Sequence, residues 1–156
     1  AALNGPRHGG LTRRVAQLFD DLREVRDLDA ELARRVRDRV YIPGFGHQLY
    51  PDGDVRASTL LDLLRGSVPR SAELAFAERA RRSVERLIDR RPNVDFATVT
   101  VERVLGLQRG AALALFLLGR TVGWIAHALE QAGHGALIRP RARYSGPRPA
   151  LPRATI

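Results

Sequence analysis

The chain has 156 residues, of which 44% are apolar and 28% charged, which is enough for one folded domain with a hydrophobic core. Its formal net charge is +9 and all 26 basic residues are arginines, which favours anionic ligands such as carboxylates and phosphates. Few aromatic residues (6%) and dispersed arginines argue against a nucleic-acid partner. The absence of cysteine excludes disulfides and thiolate metal sites and favours a cytoplasmic location. The chain also lacks methionine, so we expect it to be part of a longer protein.

The first half of the chain carries apolar residues at helical spacing. The first run consists of Leu11, Val15, Leu18, Leu22 and Val25, and Leu28, Leu32 and Val36 continue it at steps of four. A break follows from Pro43 to Asp54, where glycine and proline are frequent. The next predicted helix ends at Gly66 and contains Leu60, Leu61 and Leu64.

Two further helices are predicted between residues 71 and 105. The first is capped by Ser71, ends before Pro92 and contains Leu74, Ala77, Val84, Leu87 and Ile88. The second contains Val94, Ala97, Val101, Val104 and Leu105. Asp95 would fall in its first turn, where the helix dipole favours a carboxylate. From spacing alone, an ordinary aspartate at a helix start is a better explanation of Asp95 than a catalytic role.

Residues 111–131 are apolar almost all round and long enough to invite a transmembrane interpretation. Arg120 in the middle of this run argues against a membrane, where a central arginine is costly. Gly119 and Gly123 instead favour close helix packing in the core of a soluble protein. We therefore expect Arg120 to be buried and neutralised, either by a carboxylate of the protein or by an anionic ligand.

The segment that begins at Ile138 is rich in proline and arginine, so we expect it to be extended and to lie on a surface. Elsewhere, no stretch alternates apolar and polar residues as a half-buried strand would, and no glycine-rich phosphate loop is present. The predicted fold class is therefore all-α.

Five short motifs occur in one order along the chain. They are GPRHGG at 5–10, PGFGH at 43–47 followed by Asp54 and Arg56, PNVDF at 92–96, RTVGWIAH at 120–127 and IRPR at 138–141. Each motif is weak evidence alone, but together they closely resemble the C-terminal part of citrate synthase. The resemblance implies a helical enzyme of two domains, active as a homodimer, that condenses acetyl-CoA with oxaloacetate to give citrate and CoA in the tricarboxylic acid cycle.

The same resemblance implies how the chain divides. Residues 1–8 would end a large-domain segment, residues 9–99 would form the small domain, and residues 100–156 would form the C-terminal helices and tail of the large domain. The N-terminal part of the large domain would lie outside the chain, so the fold is expected to be truncated at its N-terminus. We therefore expect the chain alone to be inactive.

Condensation requires a base to remove a proton from the thioester methyl group while the developing oxyanion is stabilised. The resemblance implies His8 for the enol oxygen, His47 for the ketone of oxaloacetate and Asp95 as the base. The implied oxaloacetate-binding residues are Arg56, Arg120 and Arg139, of which the last would reach the other subunit's site. The implied coenzyme A loop consists of Tyr41, Ile42, Pro43, Gly44, Phe45 and Gly46, with Phe45 packing locally. His127 and His134 lack such support and are expected to be structural.

Two departures from the family pattern bear on the substrate. Val55 stands where members commonly have proline, and Pro51 stands where a basic residue helps to bind the coenzyme A phosphates. Two alternatives therefore stay open: a 2-methylcitrate synthase that uses propionyl-CoA, and a catalytically idle protein that binds coenzyme A or a carboxylate. One methylene contributes only about 1–3 kcal/mol of discrimination. We expect no metal, and no cofactor besides the coenzyme A thioester that is itself a substrate.

Overall fold

The computed structural model describes residues 10–134 and Gly146. The described residues form six α-helices, which are α1 (Gly10–Glu24), α2 (Leu28–Arg37), α3 (Val55–Ser67), α4 (Ala72–Ile88), α5 (Val94–Val104) and α6 (Ala111–His134). In this part of the chain there is no strand, and Phe45 and Pro92 form one isolated β-bridge. The all-α prediction is confirmed.

Side chains that accept hydrogen bonds from first-turn amides fix the starts of four helices. These N-caps are Asp27, Asp54, Ser71 and Asn93. The cap predicted at Ser71 is confirmed, since its hydroxyl oxygen accepts a hydrogen bond from Leu74 N at 3.3 Å. Asp27 starts a new helix within the first apolar run, which therefore forms two helices instead of one. Asp54 starts α3 well ahead of the leucines that predicted it.

Helix α5 is the centre of the fold, because α1, α3, α4 and α6 all pack on it. Its residues 94–100 are all buried. Phe96 lies between Phe19 of α1 and Phe45 of the loop before α3, with ring centroids 5.2 Å and 5.0 Å away. Such aromatic contacts contribute roughly 0.5–1.5 kcal/mol each beyond the area they bury. The core therefore holds in place the helix whose first turn carries Asp95.

The loop between α2 and α3 is held against the segment that leads into α5. Gly46 N donates to the Arg91 carbonyl at 2.8 Å, and Asn93 N donates to the Gly44 carbonyl at 2.9 Å. Gly44 has a φ of 91°, and a Cβ at this position would crowd side chains of both α1 and α5. This close approach requires glycine. It places the residues on the N-terminal side of His47 directly beside the start of α5.

Helix α6 does not lie in the core as expected. It packs on α5 and α1, yet Ala112 is its one buried residue, and Leu118 and Val122 are 69% and 72% exposed. Arg120 is exposed too, so the expectation of a buried guanidinium is wrong. The physical reason is that an apolar pattern shows that a helix is suited to burial but not what covers it. By length and composition α6 also qualifies as a membrane span, as do many core helices of soluble proteins.

Candidate active site

Asp54 is the centre of the candidate site. Its side chain is fully buried at the N-cap of α3. Its Oδ1 accepts hydrogen bonds from the backbone N (3.1 Å) and the Nε (2.9 Å) of Arg56. Its Oδ2 accepts from Arg56 Nη2 at 2.8 Å and from Val94 N at 2.9 Å. One carboxylate therefore holds the Arg56 guanidinium and ties the start of α3 to the first residue of α5.

The charges of Asp54 and Arg56 stabilise each other. Burial alone would raise the pKa of the Asp54 carboxyl, but the hydrogen bonds from the Arg56 side chain and the Val94 amide outweigh it and hold that pKa below its ordinary value. The hydrogen bond to Asp54 raises the pKa of the Arg56 guanidinium against its desolvation, and the charge of Asp95 adds to this effect. Arg56 stays cationic, and 41% of its side chain is exposed to a ligand.

His47 is oriented by a backbone amide. Its Nδ1 accepts a hydrogen bond from Leu49 N at 3.1 Å, so the neutral imidazole carries its proton on Nε2. This Nε2 lies 3.3 Å from Arg56 Nη2. In that tautomer both groups are donors, and a ligand acceptor such as a keto or carboxylate oxygen suits the space they share. The Tyr50 ring lies 4.8 Å from the His47 ring and 5.2 Å from the Arg56 guanidinium carbon, and so packs on both.

Asp95 lies in the first turn of α5, as predicted, and is fully buried. Asn93 caps this helix, because its Oδ1 accepts hydrogen bonds from Asp95 N at 3.1 Å and from Phe96 N at 3.4 Å. The Nδ2 of the same side chain donates to the Gly46 carbonyl at 3.1 Å, which joins the helix start to the loop that carries His47. The α5 dipole favours a negative charge at Asp95.

A cavity of about 660 Å³ opens between α3, α5 and α6, and both Arg56 and Arg120 line it. Most of the remaining wall is apolar and includes Leu60 and Phe116. The Arg120 guanidinium lies over Gly123. A Cβ added to this glycine would come within 2.7 Å of Arg120 Nη1. Two of the three arginines predicted to bind carboxylates are therefore brought to one cavity. Two guanidinium groups in an apolar wall suit a small dianion.

Most of loop 41–46 belongs to the core. Residues 42–45 are buried, whereas Tyr41 is 60% exposed and Gly46 is half-buried. Phe45 packs on the core ring of α5, as expected. Within this loop, Tyr41 and Gly46 therefore offer the most surface to a ligand.

His8 and Arg139 lie outside the described residues. His127 and His134 are exposed on α6 and contact Glu130 of the same helix, and neither lines the cavity that holds Arg120.

Sequence reasoning missed what positions the site, namely Asp54 as a hydrogen-bond centre, Asn93 as a cap and Glu102. Glu102 is buried, and its Oε2 accepts hydrogen bonds from Gly110 N at 3.0 Å and Ala112 N at 2.8 Å. It thereby satisfies amides at the start of the helix that carries the second arginine. Asp54 and Asn93 had a local signal, since both stand directly before an apolar helical run. Glu102 had none.

The fold and the site define a helical protein suited to a small anionic ligand. The family model "Citrate synthase, C-terminal domain" matches residues 1–141, and the chain belongs to the citrate synthase family. It is 34% identical over 149 residues to citrate synthase 2 of Bacillus subtilis, covering 94% of this chain and 40% of that protein. It is 35% identical over 159 residues to citrate synthase 1 of Mycobacterium tuberculosis, covering 93% of this chain and 37% of that protein. The chain thus spans about two fifths of the length of these relatives.

Solved structures share the fold. Citrate synthase from Thermotoga maritima is similar with a TM-score of 0.76 and 33% identity, over 94% of this chain and 42% of that one. Citrate synthase from Thermoplasma acidophilum, in a ternary complex with carboxymethyl coenzyme A and oxaloacetate, has a TM-score of 0.74 and 29% identity. The match covers 98% of this chain and 44% of that one. Citryl-CoA lyase from Hydrogenobacter thermophilus has a TM-score of 0.72 and 24% identity, over 96% of this chain and 62% of that one. This similarity shows a shared fold alone.

Proposed function

We propose that the chain is the C-terminal part of a citrate synthase and contributes acceptor-binding groups and the base for condensing acetyl-CoA with oxaloacetate. The observation that carries the proposal is the pair of donors at His47 Nε2 and Arg56 Nη2, 3.3 Å apart. The buried carboxylate of Asp54 holds Arg56 and also accepts a hydrogen bond from Val94, the residue before Asp95. Family membership, and the complex of the Thermoplasma acidophilum relative with carboxymethyl coenzyme A and oxaloacetate, support the proposal.

Oxaloacetate is bound through its two carboxylates and its ketone. Arg56 and Arg120 bind the carboxylates, because planar guanidinium groups form paired hydrogen bonds with them. Arg139 completes the set in the neighbouring site of a homodimer. The His47 Nε2–H donates to the keto oxygen and draws electron density from the carbon that is attacked.

Asp95 removes a proton from the methyl carbon of acetyl-CoA, while His8 donates to the thioester oxygen as the enol forms. The enol carbon then attacks the ketone carbon of oxaloacetate, and the enol proton returns to His8 as the thioester carbonyl forms again. The former keto oxygen takes up the proton of His47 Nε2, and citryl-CoA results. Water hydrolyses the thioester to release citrate and CoA. The buried first turn of α5 keeps the base away from bulk water.

The test is release of free thiol by the full-length protein, meaning this chain with whatever sequence adjoins it, from oxaloacetate and acetyl-CoA. We expect turnover, and we expect Asp95→Asn to lower kcat by at least about 100-fold while oxaloacetate binding, followed by calorimetry, stays nearly unchanged. Asp52→Asn removes an exposed carboxylate from the same loop as His47 and is the matched control. It should keep wild-type kcat.

Three results bear on the proposal differently. Wild-type turnover in Asp95→Asn would remove Asp95 as the base. A clear preference for propionyl-CoA would make the enzyme a 2-methylcitrate synthase with the same residues. Binding of oxaloacetate without turnover of either thioester would contradict the proposal and support an idle binding protein.

A further inference from the structure

Asn93 contacts both sides of the candidate site through one side chain. The residue is buried, with 2% of its surface exposed. Its Oδ1 accepts hydrogen bonds from Asp95 N at 3.1 Å and Phe96 N at 3.4 Å, and its Nδ2 donates to the Gly46 carbonyl at 3.1 Å. One end of this amide therefore holds the helical turn that carries Asp95, and the other end holds the residue before His47.

The bond to Gly46 acts on the backbone of His47. The Gly46 carbonyl belongs to the planar peptide group whose nitrogen is that of His47, so a hydrogen bond to this oxygen fixes the plane from which the His47 side chain projects. On the other side of the residue, His47 Nδ1 accepts a hydrogen bond from Leu49 N at 3.1 Å. His47 is thus held from both directions, and Asn93 orients the backbone that leads into it.

Two backbone hydrogen bonds pair the loop before His47 with the segment before α5. Asn93 N donates to the Gly44 carbonyl at 2.9 Å, and Gly46 N donates to the Arg91 carbonyl at 2.8 Å. The Asn93 side chain adds a third hydrogen bond to this pairing. It is the one that reaches the peptide group of His47.

Capping alone does not require an asparagine. Aspartate and serine cap helices as well, and Asp27 caps α2 by accepting from Asp29 N at 3.0 Å and Ala30 N at 3.2 Å, which are the corresponding two positions. An ionised carboxylate only accepts hydrogen bonds, whereas a carboxamide carries an acceptor and a donor on one planar group. The donor half of Asn93 is therefore not explained by capping.

We propose that Asn93 is a positioning residue that sets the placement of the His47 donor relative to the Asp95 base. The roles of these two residues rest on the proposed function. In the condensation, the enol carbon made by the base must reach the ketone carbon held by His47, which requires the reacting atoms to be close and aligned. Without the hydrogen bond to Gly46, His47 keeps its contact with Leu49 but loses its fixed placement against α5.

Asn93→Ser in the full-length protein separates the two halves of the side chain. Serine still caps α5, but its hydroxyl is too short to reach the Gly46 carbonyl as well. We expect kcat to fall at least about tenfold, because misplacement by about 1 Å can cost about 100-fold. The KM and the calorimetric affinity for oxaloacetate should stay nearly unchanged, because Arg56 and Arg120 bind its carboxylates.

Infrared difference spectroscopy of bound oxaloacetate measures the placement of His47 directly. A hydrogen bond from His47 Nε2 polarises the keto carbonyl and lowers its stretching frequency. This lowering should be smaller in Asn93→Ser than in wild type. Asn93→Asp keeps the cap acceptor but has no donor for the Gly46 carbonyl, so it should show the same loss of kcat and the same spectroscopic change.

The matched control is Asp27→Ser, which changes the N-cap of α2 to the same residue. This helix carries none of the proposed site residues. The control should leave kcat and the keto stretching frequency at their wild-type values.

Wild-type kcat in Asn93→Ser, or an unchanged keto stretching frequency in a variant that has lost activity, would overturn this inference. An equal loss in Asp27→Ser would overturn it too. A frequency that depends on Asn93 in a protein that turns over neither acetyl-CoA nor propionyl-CoA would support the inference and contradict the proposed reaction. If oxaloacetate has the same frequency free and bound to wild type, the proposed role of His47 is wrong, and this inference is wrong with it.

Discussion

Replacing Asp54 by alanine tests the centre of the candidate site. The substitution removes four accepted hydrogen bonds, three from Arg56 and one from the Val94 amide. Loss of the α3 N-cap costs about 1 kcal/mol. Leaving the buried Val94 amide without an acceptor costs about 1–3 kcal/mol, and the partly exposed ion pair with Arg56 contributes at most about 1 kcal/mol. We expect the free energy of unfolding to fall by about 2–5 kcal/mol.

Asp54→Asn separates these contributions. Asparagine still caps α3 through its carbonyl oxygen, but it offers one acceptor oxygen where the carboxylate offers two. Asp54→Asn should therefore lower the free energy of unfolding by an intermediate amount, about 1–2 kcal/mol. Asp52→Ala removes an exposed carboxylate from the same loop and should change stability by no more than about 0.5 kcal/mol. Urea unfolding followed by far-UV circular dichroism measures all three variants, and equal stability of Asp54→Ala and Asp52→Ala would refute the reasoning.

Three further predictions concern Arg120, Glu102 and the ionisation of Asp54. Arg120→Leu in the full-length protein should preserve or raise the melting temperature without ligand, because the guanidinium is exposed. The same substitution should abolish the rise in melting temperature that oxaloacetate gives wild type. An unchanged rise would remove Arg120 from the site. Glu102→Ala should lower the free energy of unfolding by about 1–3 kcal/mol, because the Gly110 and Ala112 amides lose their acceptor. In the same urea titration, Glu102→Gln should recover part of the lost stability. Because folding lowers the pKa of Asp54, its ionisation stabilises the fold above about pH 4, and this contribution is lost as pH falls through the folded-state pKa. The stability difference between wild type and Asp54→Asn should therefore shrink on acidification below about pH 4, whereas a constant difference would contradict this role.

Helices α1 to α5 were predictable because each one contributes an apolar face of helical period to a shared core. Ser71 shows that a local hydrogen bond between a side chain and a first-turn amide can be predicted from the sequence as well. Helix α6 shows the limit, because its apolar pattern is the same whether or not the described residues cover it. The burial of Arg120 depended on that cover and was therefore predicted wrongly.

The sequence indicates candidate site residues but not how they are arranged. His47 and Arg56 are close in sequence, and their motif brings them together within one loop and helix start. The bond from Asp54 to Val94 joins positions 40 residues apart. No local pattern encodes such a contact, because it depends on how α3 packs on α5.

The Asp54 carboxylate makes the two halves of the proposed site depend on each other. Its Oδ2 bonds both the Arg56 guanidinium and the amide of Val94, and Asp95 is the next residue along α5. Helix α5 is buried through its first turns and surrounded by four helices, whereas the Arg56 side chain is partly exposed. Because the buried helix has less freedom to move than the guanidinium, loss of Asp54 displaces Arg56 more than Asp95. Substitutions of Asp54 should therefore weaken oxaloacetate binding more than they slow proton removal from the thioester.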